Sequence, residues 1–366
     1  MKRVGIHLFG FAWLVILGPV SSASADPTKL PCDRYADDGG PCVAAHSTVR
    51  LLRSAYTGPL YQVRREGPTI DGTTKDIGVV SGGFADVVAQ AKFCGTRICT
   101  TSIIYDQSGN GNDLTKASAD NGEANAKAGQ ITISGHNLHG ERNDPSVSYR
   151  NNNAKGVATG DNPETIYMVA SGRYYNGDKG ECCFEYGNVY PTRGWEPAGT
   201  QEAIYFGKYA STTCGNRGDD SGGPWVMADL GGAQGCGLWA GDTAVAHKDP
   251  SVTYKYLTAI VKGGSANTSN LNRGRLVVKI GNAQSDRLTL VYDGPRETDS
   301  SEDWRVMRKG MVKDNSTVQV GITLGADGAG NSRGAGIFYE GVMTAQCSSD
   351  SADDDVQANI VSVYGH

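Results

Sequence analysis

Residues 254–262 have the sequence YKYLTAIVK, and this stretch decides the fold class. It is dominated by β-branched and aromatic residues, which suit the pleated, half-buried surface of a sheet. It contains neither Gly nor Pro, and Gly, Ser and Asn follow it, as they do at the end of a strand. We therefore predict a strand here, and the same composition predicts strands at residues 165–170, 275–280, 288–292, 318–324 and 336–344.

Short runs of this kind, separated by turn residues, continue along most of the chain. Gly accounts for 50 of the 366 residues without a collagen-like period, which indicates many turns. Helical signals occur only at residues 44–56 and 353–364. The pattern predicts an all-β fold, an antiparallel sandwich with few short helices. The segment IIYDQSGNGN at residues 103–112 resembles a strand and loop of concanavalin-like jelly rolls, so we predict that architecture.

The N-terminal segment resembles an export signal. Lys2 and Arg3 precede an apolar run, and Ala23-Ser24-Ala25 follows it as a small-residue cleavage site. We therefore expect a secreted protein with a signal peptide at residues 1–25 and one domain at residues 26–366. No second apolar run approaches the roughly 20 residues of a membrane span. The net charge of −5 and the lack of a Lys/Arg block argue against nucleic acid or a membrane as partner.

All nine cysteines follow the predicted cleavage site, where disulfides are expected. Metal binding is the alternative, but no CxxC pair or His at ligand spacing accompanies them, so we predict no metal and no cofactor. Four pairs are candidates for disulfides: Cys32 with Cys42, Cys94 with Cys99, Cys182 with Cys183, and Cys214 with Cys236. Cys347 is then the unpaired cysteine.

Cys182 and Cys183 are adjacent, which ordinary disulfide geometry does not allow. A trans peptide holds neighbouring Cα atoms about 3.8 Å apart, closer than the usual spacing across a disulfide. Closing the ring distorts the peptide bond, and strain of about 1–3 kcal/mol persists chiefly at functional sites. The alternative is that each of the two cysteines pairs elsewhere.

Two fragments resemble trypsin-like protease signatures: Ala44-Ala45-His46 and Asp220-Ser221-Gly222-Gly223-Pro224. A Ser-His-Asp site needs its three groups to converge beside backbone donors for the oxyanion. His46 falls in a stretch that we predict to be helical, and Asp-Ser-Gly-Gly is common in turns. We therefore do not predict a protease.

Six stretches, in order along the chain, together resemble the catalytic domain of α-L-arabinofuranosidase B, glycoside hydrolase family 54. They lie at residues 41–48, 103–114, 182–184, 202–205, 223–227 and 338–343. The resemblance implies a β-sandwich that releases terminal arabinofuranose from plant arabinan or arabinoxylan with retention of configuration. It implies that Cys182 and Cys183 form a vicinal disulfide, a stiff apolar platform against the sugar. It does not indicate an oligomeric state.

Retaining glycosidases use two carboxyl groups about 5–5.5 Å apart, one as nucleophile and one as acid/base. The resemblance implies that Asp327 is the acid/base, with Ala326 and Trp225 as substrate contacts, although Trp225 is equally compatible with a core position. The family's nucleophilic Glu corresponds to Gly231 here, and glycine cannot attack a sugar.

Three explanations account for Gly231. In the first, another carboxylate substitutes, either Asp229, two residues earlier on the same strand face, or Glu202. In the second, the enzyme is inverting, with carboxyl groups about 6.5–9.5 Å apart and a water molecule between them. In the third, the chain is an inactive arabinan-binding sandwich. We predict the enzyme, with Asp229 as substitute nucleophile or substrate contact and with Glu202 and Glu340 as structural carboxylates.

We also expect a disulfide between Cys214 and Cys236 to rebuild the loop in which the nucleophile is missing. Cys236 follows Gly231 within a short insertion, and Cys214 lies in the matched region before it. A bridge closing a loop of this length stabilises by roughly 3 kcal/mol in the chain-entropy model. The site would then be remodelled, with Asp229 as the carboxylate that works with Asp327.

Overall fold

The structure is a computed structural model, and strands dominate the part of the chain that it describes. That part comprises residues 1, 29–66, 73–159, 162–175, 177, 184–189, 201–208, 210–211, 215–216, 222–229, 238–239, 250–264, 275–285, 287–295, 320–326 and 334–365. The helices within these ranges are α1 (Pro31–Asp37), α2 (Val87–Cys94) and α3 (Asp350–Tyr364). The strands are β1 (Cys42–Ser47), β2 (Tyr61–Arg65), β3 (Thr74–Ile77), β4 (Cys99–Ile104), β5 (Leu114–Lys116), β6 (Gln130–Ile133), β7 (His136–His139), β8 (Glu141–Asn143), β9 (Tyr149–Ala154), β10 (Glu164–Tyr175), β11 (Glu185–Val189), β12 (Gln201–Gly207), β13 (Ala210–Ser211), β14 (Gly215–Asn216), β15 (Trp225–Asp229), β16 (Leu238–Trp239), β17 (Tyr256–Gly264), β18 (Arg275–Asn282), β19 (Thr289–Pro295), β20 (Val320–Leu324) and β21 (Gly336–Thr344).

The strands form two large antiparallel sheets. One has seven strands in the order β1-β21-β10-β17-β18-β19, with β8 also paired to β21. The other has ten strands in the order β16-β15-β12-β11-β20-β9-β5-β4-β2-β3. Side chains from both sheets fill one apolar cluster, including Met168 and Val261 from the first and Ile204 and Ile322 from the second. The sheets therefore pack face to face, and the predicted all-β sandwich is confirmed.

The other face of the seven-stranded sheet is covered by helices and by the β6–β7 hairpin. Tyr167 and Ile260 of that sheet share a second apolar cluster with Val356 and Ile360 of α3. α3 thus buries its apolar side on the sheet, and its Ser349 N-cap accepts from the backbone N–H of Ala352. The helix predicted at residues 353–364 is confirmed.

All six predicted strands are present, within β10 and β17 to β21. The helix predicted at residues 44–56 is wrong, because residues 42–47 form β1 and residues 48–56 follow it without a helix. That strand pairs with β21, from Cys42 opposite Thr344 to Ser47 opposite Glu340. Its residues after Cys42 are buried in succession, and such a short apolar run fits a helix or a doubly covered strand equally well. Pairing with β21 decides between them.

Two of the predicted disulfides are present. Cys32–Cys42 links α1 to β1, and Cys94–Cys99 links the end of α2 to β4. The thiol of Cys347 is exposed and lies 3.5 Å from the backbone oxygens of two neighbouring strands. The other four cysteines lie outside the described residues, as does the predicted signal peptide after Met1.

A buried ion pair joins the segment after β1 to β21, and a hydroxyl group of α3 binds the same carboxylate. Arg50 donates to the Glu340 carboxylate through Nε at 2.6 Å and Nη2 at 2.7 Å. The hydroxyl groups of Tyr364, at 2.9 Å, and Tyr167, at 3.2 Å, donate to the same carboxylate. Glu340 is fully buried, so these four donors replace the water that a carboxylate would otherwise bind. Glu340 is therefore structural, as the sequence predicts.

Candidate active site

One face of the ten-stranded sheet points away from the apolar layer between the sheets. In β15, Val226 and Ala228 belong to that layer, so the alternating residues Trp225, Met227 and Asp229 point the other way. We call this side the outward face. The same alternation in β12, β11 and β20 adds Ala203, Tyr205, Glu185, Gly187, Val189 and Thr323 to it.

Asp229 lies at one end of a row of small residues on the outward face. It pairs with Ala203, which pairs with Gly187, which pairs with Thr323. A Cβ at Gly187 would come within 2.5 Å of the Ala203 Cα, so this position excludes any larger side chain. The small side chains of Ala203 and Gly187 therefore form a low floor between Asp229 and Thr323. The strands of Asp229 and Thr323 lie about 14 Å apart, which is three strand spacings.

A second carboxylate, that of Glu185, shares the outward face. The next residue, Tyr186, points into the sandwich, where its hydroxyl lies 2.9 Å from His46 Nδ1. Glu185 therefore points outward, in the row that continues through Tyr205 to Met227. It is completely buried. Sequence reasoning did not single out Glu185.

Strand β20 ends in a fixed turn that leads to Asp327. The backbone N–H of Gly325 donates to the backbone carbonyl oxygen of Glu185 at 2.8 Å, and the Thr323 hydroxyl donates to the backbone carbonyl oxygen of Ala326 at 2.7 Å. Gly325 has a φ of +80°, which favours glycine, and Ala326 is fully buried. Asp327 itself lies outside the described residues, as do Cys182, Cys183 and Gly231.

Trp225 begins β15 and is buried on the outward face. Its indole ring packs against Gly223, where a Cβ would lie 2.8 Å from the ring. Only 2% of Trp225 is exposed, yet it belongs to neither apolar cluster of the described residues. It lies four residues from Asp229, about 13 Å along the strand. The predicted substrate contacts Trp225 and Asp229 therefore share one strand face.

Glu202, the other candidate from the sequence, lies on the opposite side of the sheet. It alternates with Ala203, pairs with Asn188, and its carboxylate packs against Gly263 of β17 in the facing sheet. It is fully buried between the sheets. The ten-stranded sheet therefore separates Glu202 from Asp229, in agreement with a structural role.

His46 of the protease-like fragment also lies between the sheets. Its Nε2 is 2.8 Å from the backbone carbonyl oxygen of Asn112, and burial lowers the pKa of the imidazole. Ser221 lies outside the described residues. His46 thus belongs to the interior, where it links β1 to the Asn112 loop and, through Tyr186, to β11.

The residues that the structure describes contain no cluster of three or more His, Cys, Asp or Glu side chains able to hold a metal ion. Within the same ranges, no helix is long and apolar enough to cross a membrane.

Comparison with known proteins identifies the family. A sequence model described as "Alpha-L-arabinofuranosidase B, catalytic" matches residues 31–365. A probable α-L-arabinofuranosidase B of Aspergillus terreus is 43% identical over 344 residues, which cover 90% of this chain and 61% of that protein. The chain thus spans less than two thirds of the length of the relatives that it matches.

Solved structures agree. A family 54 α-L-arabinofuranosidase soaked with a cyclic sulfate inhibitor has a TM-score of 0.76 at 38% identity, over 91% of this chain and 65% of that one. An arabinofuranosidase complexed with arabinofuranosyl-α-1,2-xylobiose has the same score and identity, over 91% and 64%. These matches define the class as a glycoside hydrolase catalytic domain. The chain belongs to the α-L-arabinofuranosidase B catalytic family, glycoside hydrolase family 54, as the sequence resemblance implied.

Proposed function

We propose that the protein is a secreted α-L-arabinofuranosidase that releases terminal arabinofuranose from arabinan or arabinoxylan. The observation that carries this proposal is the outward face of a family 54 sandwich. There, Asp229 borders a low floor of small residues, and β20 beyond it leads through the Gly325–Ala326 turn to Asp327. A low floor beside carboxylates suits a small sugar ring.

In this proposal Asp327 is the acid/base group, which protonates the glycosidic oxygen as the bond to the anomeric carbon breaks. Asp229 accepts hydrogen bonds from the hydroxyl groups of the sugar. Trp225 and Ala326 contact the substrate, and a vicinal disulfide of Cys182 and Cys183 forms the platform beneath it. No step uses a metal ion or cofactor.

The names of the relatives support the proposed substrate class. They are named α-L-arabinofuranosidases, and one matching structure holds an arabinofuranosyl-xylobiose, a fragment of arabinoxylan type. Secretion is supported by the signal-like sequence at residues 1–25 and by the disulfides Cys32–Cys42 and Cys94–Cys99. Residues 26–366 form the mature catalytic domain in this proposal.

The test is hydrolysis of a 4-nitrophenyl α-L-arabinofuranoside by the purified chain, run beside a binding measurement on arabinan. We expect turnover of this substrate by the wild type, and we expect Asp327→Asn to abolish the release of arabinose from arabinan, where the leaving group is poor. Binding of arabinan without any turnover would instead identify an arabinan-binding protein, the alternative that Gly231 at the nucleophile position favours.

A further inference from the structure

The far side of the seven-stranded sheet carries a groove, between the β6–β7 hairpin and the start of β17. Its volume is about 550 Å³, which is within the range of pockets that bind small ligands. Tyr256 of β17 belongs to the second apolar cluster, whereas Leu257 faces the ten-stranded sheet. Both sheets therefore separate this groove from the outward face. We call it the hairpin groove, and its lining residues are Gln130, Ile131, Thr132, Asn137, Leu138, His139, Lys255 and Tyr256.

The hairpin presents a row of polar side chains on a rigid support. Alternate residues of β6 and β7 are buried in the second apolar cluster, namely Ile131, Ile133 and Leu138. The alternating polar residues form two opposed pairs, Gln130 with His139 and Thr132 with Asn137. The Ser134 hydroxyl in the turn donates to the backbone carbonyl oxygen of Val363 at 2.9 Å, which ties the hairpin to α3. The polar row is therefore held in place before any ligand binds.

The polar row offers mainly hydrogen-bond donors. The Thr132 hydroxyl donates to Asn137 Oδ1 at 2.8 Å, which leaves the NH₂ group of Asn137 for a ligand. Gln130 adds a second amide. Burial lowers the pKa of His139, so its imidazole is neutral at pH 7 and carries one N–H donor. A ligand of this row must therefore be rich in acceptor oxygens.

Lys255 brings a positive charge to the other wall of the groove. Its Nζ lies 4.8 Å from the centre of the Tyr256 ring, and Tyr256 is only 5% exposed. The ring is therefore no platform for the stacking of a neutral sugar. Lys127 is close enough to His139 to lower its pKa further, which adds a second positive charge nearby. None of the described residues that line the groove is acidic.

We propose that the hairpin groove binds an acidic saccharide through the carboxylate of a uronic acid unit. Lys255 Nζ pairs with the carboxylate, and the amide NH₂ groups of Asn137 and Gln130 donate to its oxygens or to neighbouring hydroxyl groups. The cation and the donors select an anion, and the row of amide, hydroxyl and imidazole groups suits a ring that bears several hydroxyl groups. The choice of a plant polysaccharide as the source rests on the proposed function, because such polysaccharides contain uronic acid units.

The position of the hairpin groove gives this binding a use. A chain held there leaves the outward face free, because both sheets lie between the two sites. Attachment at one site raises the effective concentration of the same polymer at the other. The groove would thus keep the protein on an acidic polysaccharide while the outward face acts on its arabinofuranose side groups.

The test is calorimetric titration of the purified chain at low salt with three saccharides of similar size. Trigalacturonate represents pectin, xylotriose bearing one glucuronic acid represents acidic xylan, and plain xylotriose is the neutral control. We expect at least one acidic saccharide to bind about tenfold more tightly than xylotriose, and added salt to weaken that binding. Whichever acid binds identifies the source. Equal affinities for all three, or no binding of either acid, would overturn the proposal.

Variants then locate the binding. Lys255→Ala should weaken the binding of the acidic saccharide about tenfold or more, because a hydrogen bond to a charged group is lost, and Lys255→Arg should largely keep it. Lys116→Ala is the matched control, since it removes the same charge from an exposed lysine of β5 in the other sheet. It should bind like the wild type. Unchanged affinity in a folded Lys255→Ala would place the binding elsewhere and overturn the proposal.

A measurement on the wild type covers the case in which Lys255→Ala does not fold. Acetic anhydride acetylates exposed lysines, and peptide mapping reads the extent at each one. The acidic saccharide should protect Lys255 and leave Lys116 as reactive as before, whereas equal protection of both lysines or of neither would contradict the proposal. Hydrolysis of a 4-nitrophenyl arabinofuranoside is measured separately. A chain that binds the acidic saccharide but hydrolyses nothing contradicts the proposed function alone, and an active enzyme that binds no acidic saccharide contradicts this inference alone.

Discussion

Two regions of the sandwich bury carboxylates in opposite ways. Glu340, on the seven-stranded sheet, is enclosed by large donors, the Arg50 guanidinium and the Tyr364 hydroxyl among them. Asp229, on the outward face of the ten-stranded sheet, has Ala203 as its row neighbour and is 7% exposed. Burial alone therefore does not separate a structural carboxylate from a functional one. The size of the surrounding side chains does, because small neighbours leave room for a ligand.

The largest effect should come from the functional region. Asp327→Ala should lower the rate on arabinan by about 10²–10⁴-fold, and less on substrates with good leaving groups, because a general acid matters most when the leaving group is poor. Unfolding in urea should be almost unchanged. Asp293→Asn, at an exposed aspartate paired with Arg275, is the control and should keep full activity. Near wild-type rates on arabinan would remove Asp327 from the mechanism.

Glu340→Gln should show the opposite profile. It leaves the buried guanidinium of Arg50 without its counter-charge, so we expect a loss of about 3–5 kcal/mol in the free energy of unfolding. The rate per folded molecule should hardly change, because Glu340 is on the sheet far from the outward face. Denaturant titration measures the free energy of unfolding, and hydrolysis kinetics measure the rate per folded molecule. A fall in kcat with unchanged stability would reverse the comparison.

Glu141 of β8 is a third kind of buried carboxylate, which should make the free energy of unfolding depend on pH. Burial raises the pKa of Glu141 to about 7, against hydrogen bonds from Tyr149 and Thr101 that lower it. The folded state then holds a proton that the unfolded state has lost, so stability should fall as pH rises from about 4.5 to 7, by up to about 3 kcal/mol. Glu141→Gln stays neutral and should reduce this fall. If the wild type and Glu141→Gln lose the same free energy of unfolding between pH 5 and pH 8, measured by urea titration, Glu141 does not titrate in this range.

The smallest effect should come from removing the disulfide that closes the shorter loop. Cys94 and Cys99 are five residues apart in sequence, so replacing both by Ala should cost about 2 kcal/mol on the chain-entropy model. Cys32 and Cys42 are ten apart, and their removal should cost slightly more, about 3 kcal/mol. Hydrolysis rates should be equal in all of these variants. The ranking fails if the shorter loop proves the more stabilising.

The sequence predicts the strands well because composition and turn residues are local properties. It does not predict β1, because the apolar run after Cys42 fits both a helix and a buried strand. Only the pairing with β21 makes it a strand. The same limit applies to the position of Glu185 on the outward face. Its relation to Gly325 depends on two strands more than 100 residues apart becoming neighbours, and its face follows from pairing register. Asp229 could be found because one short motif contains it.

Strand β21 pairs with β1, β10 and β8, so three earlier strands depend on residues 336–344. β1 must wait for a partner almost 300 residues further along the chain. Contacts of such long range slow folding. Until β21 arrives, β1 and β10 present open edges to other molecules, and open edges are templates for aggregation. Expression yield should therefore depend on how long the nascent chain waits for β21.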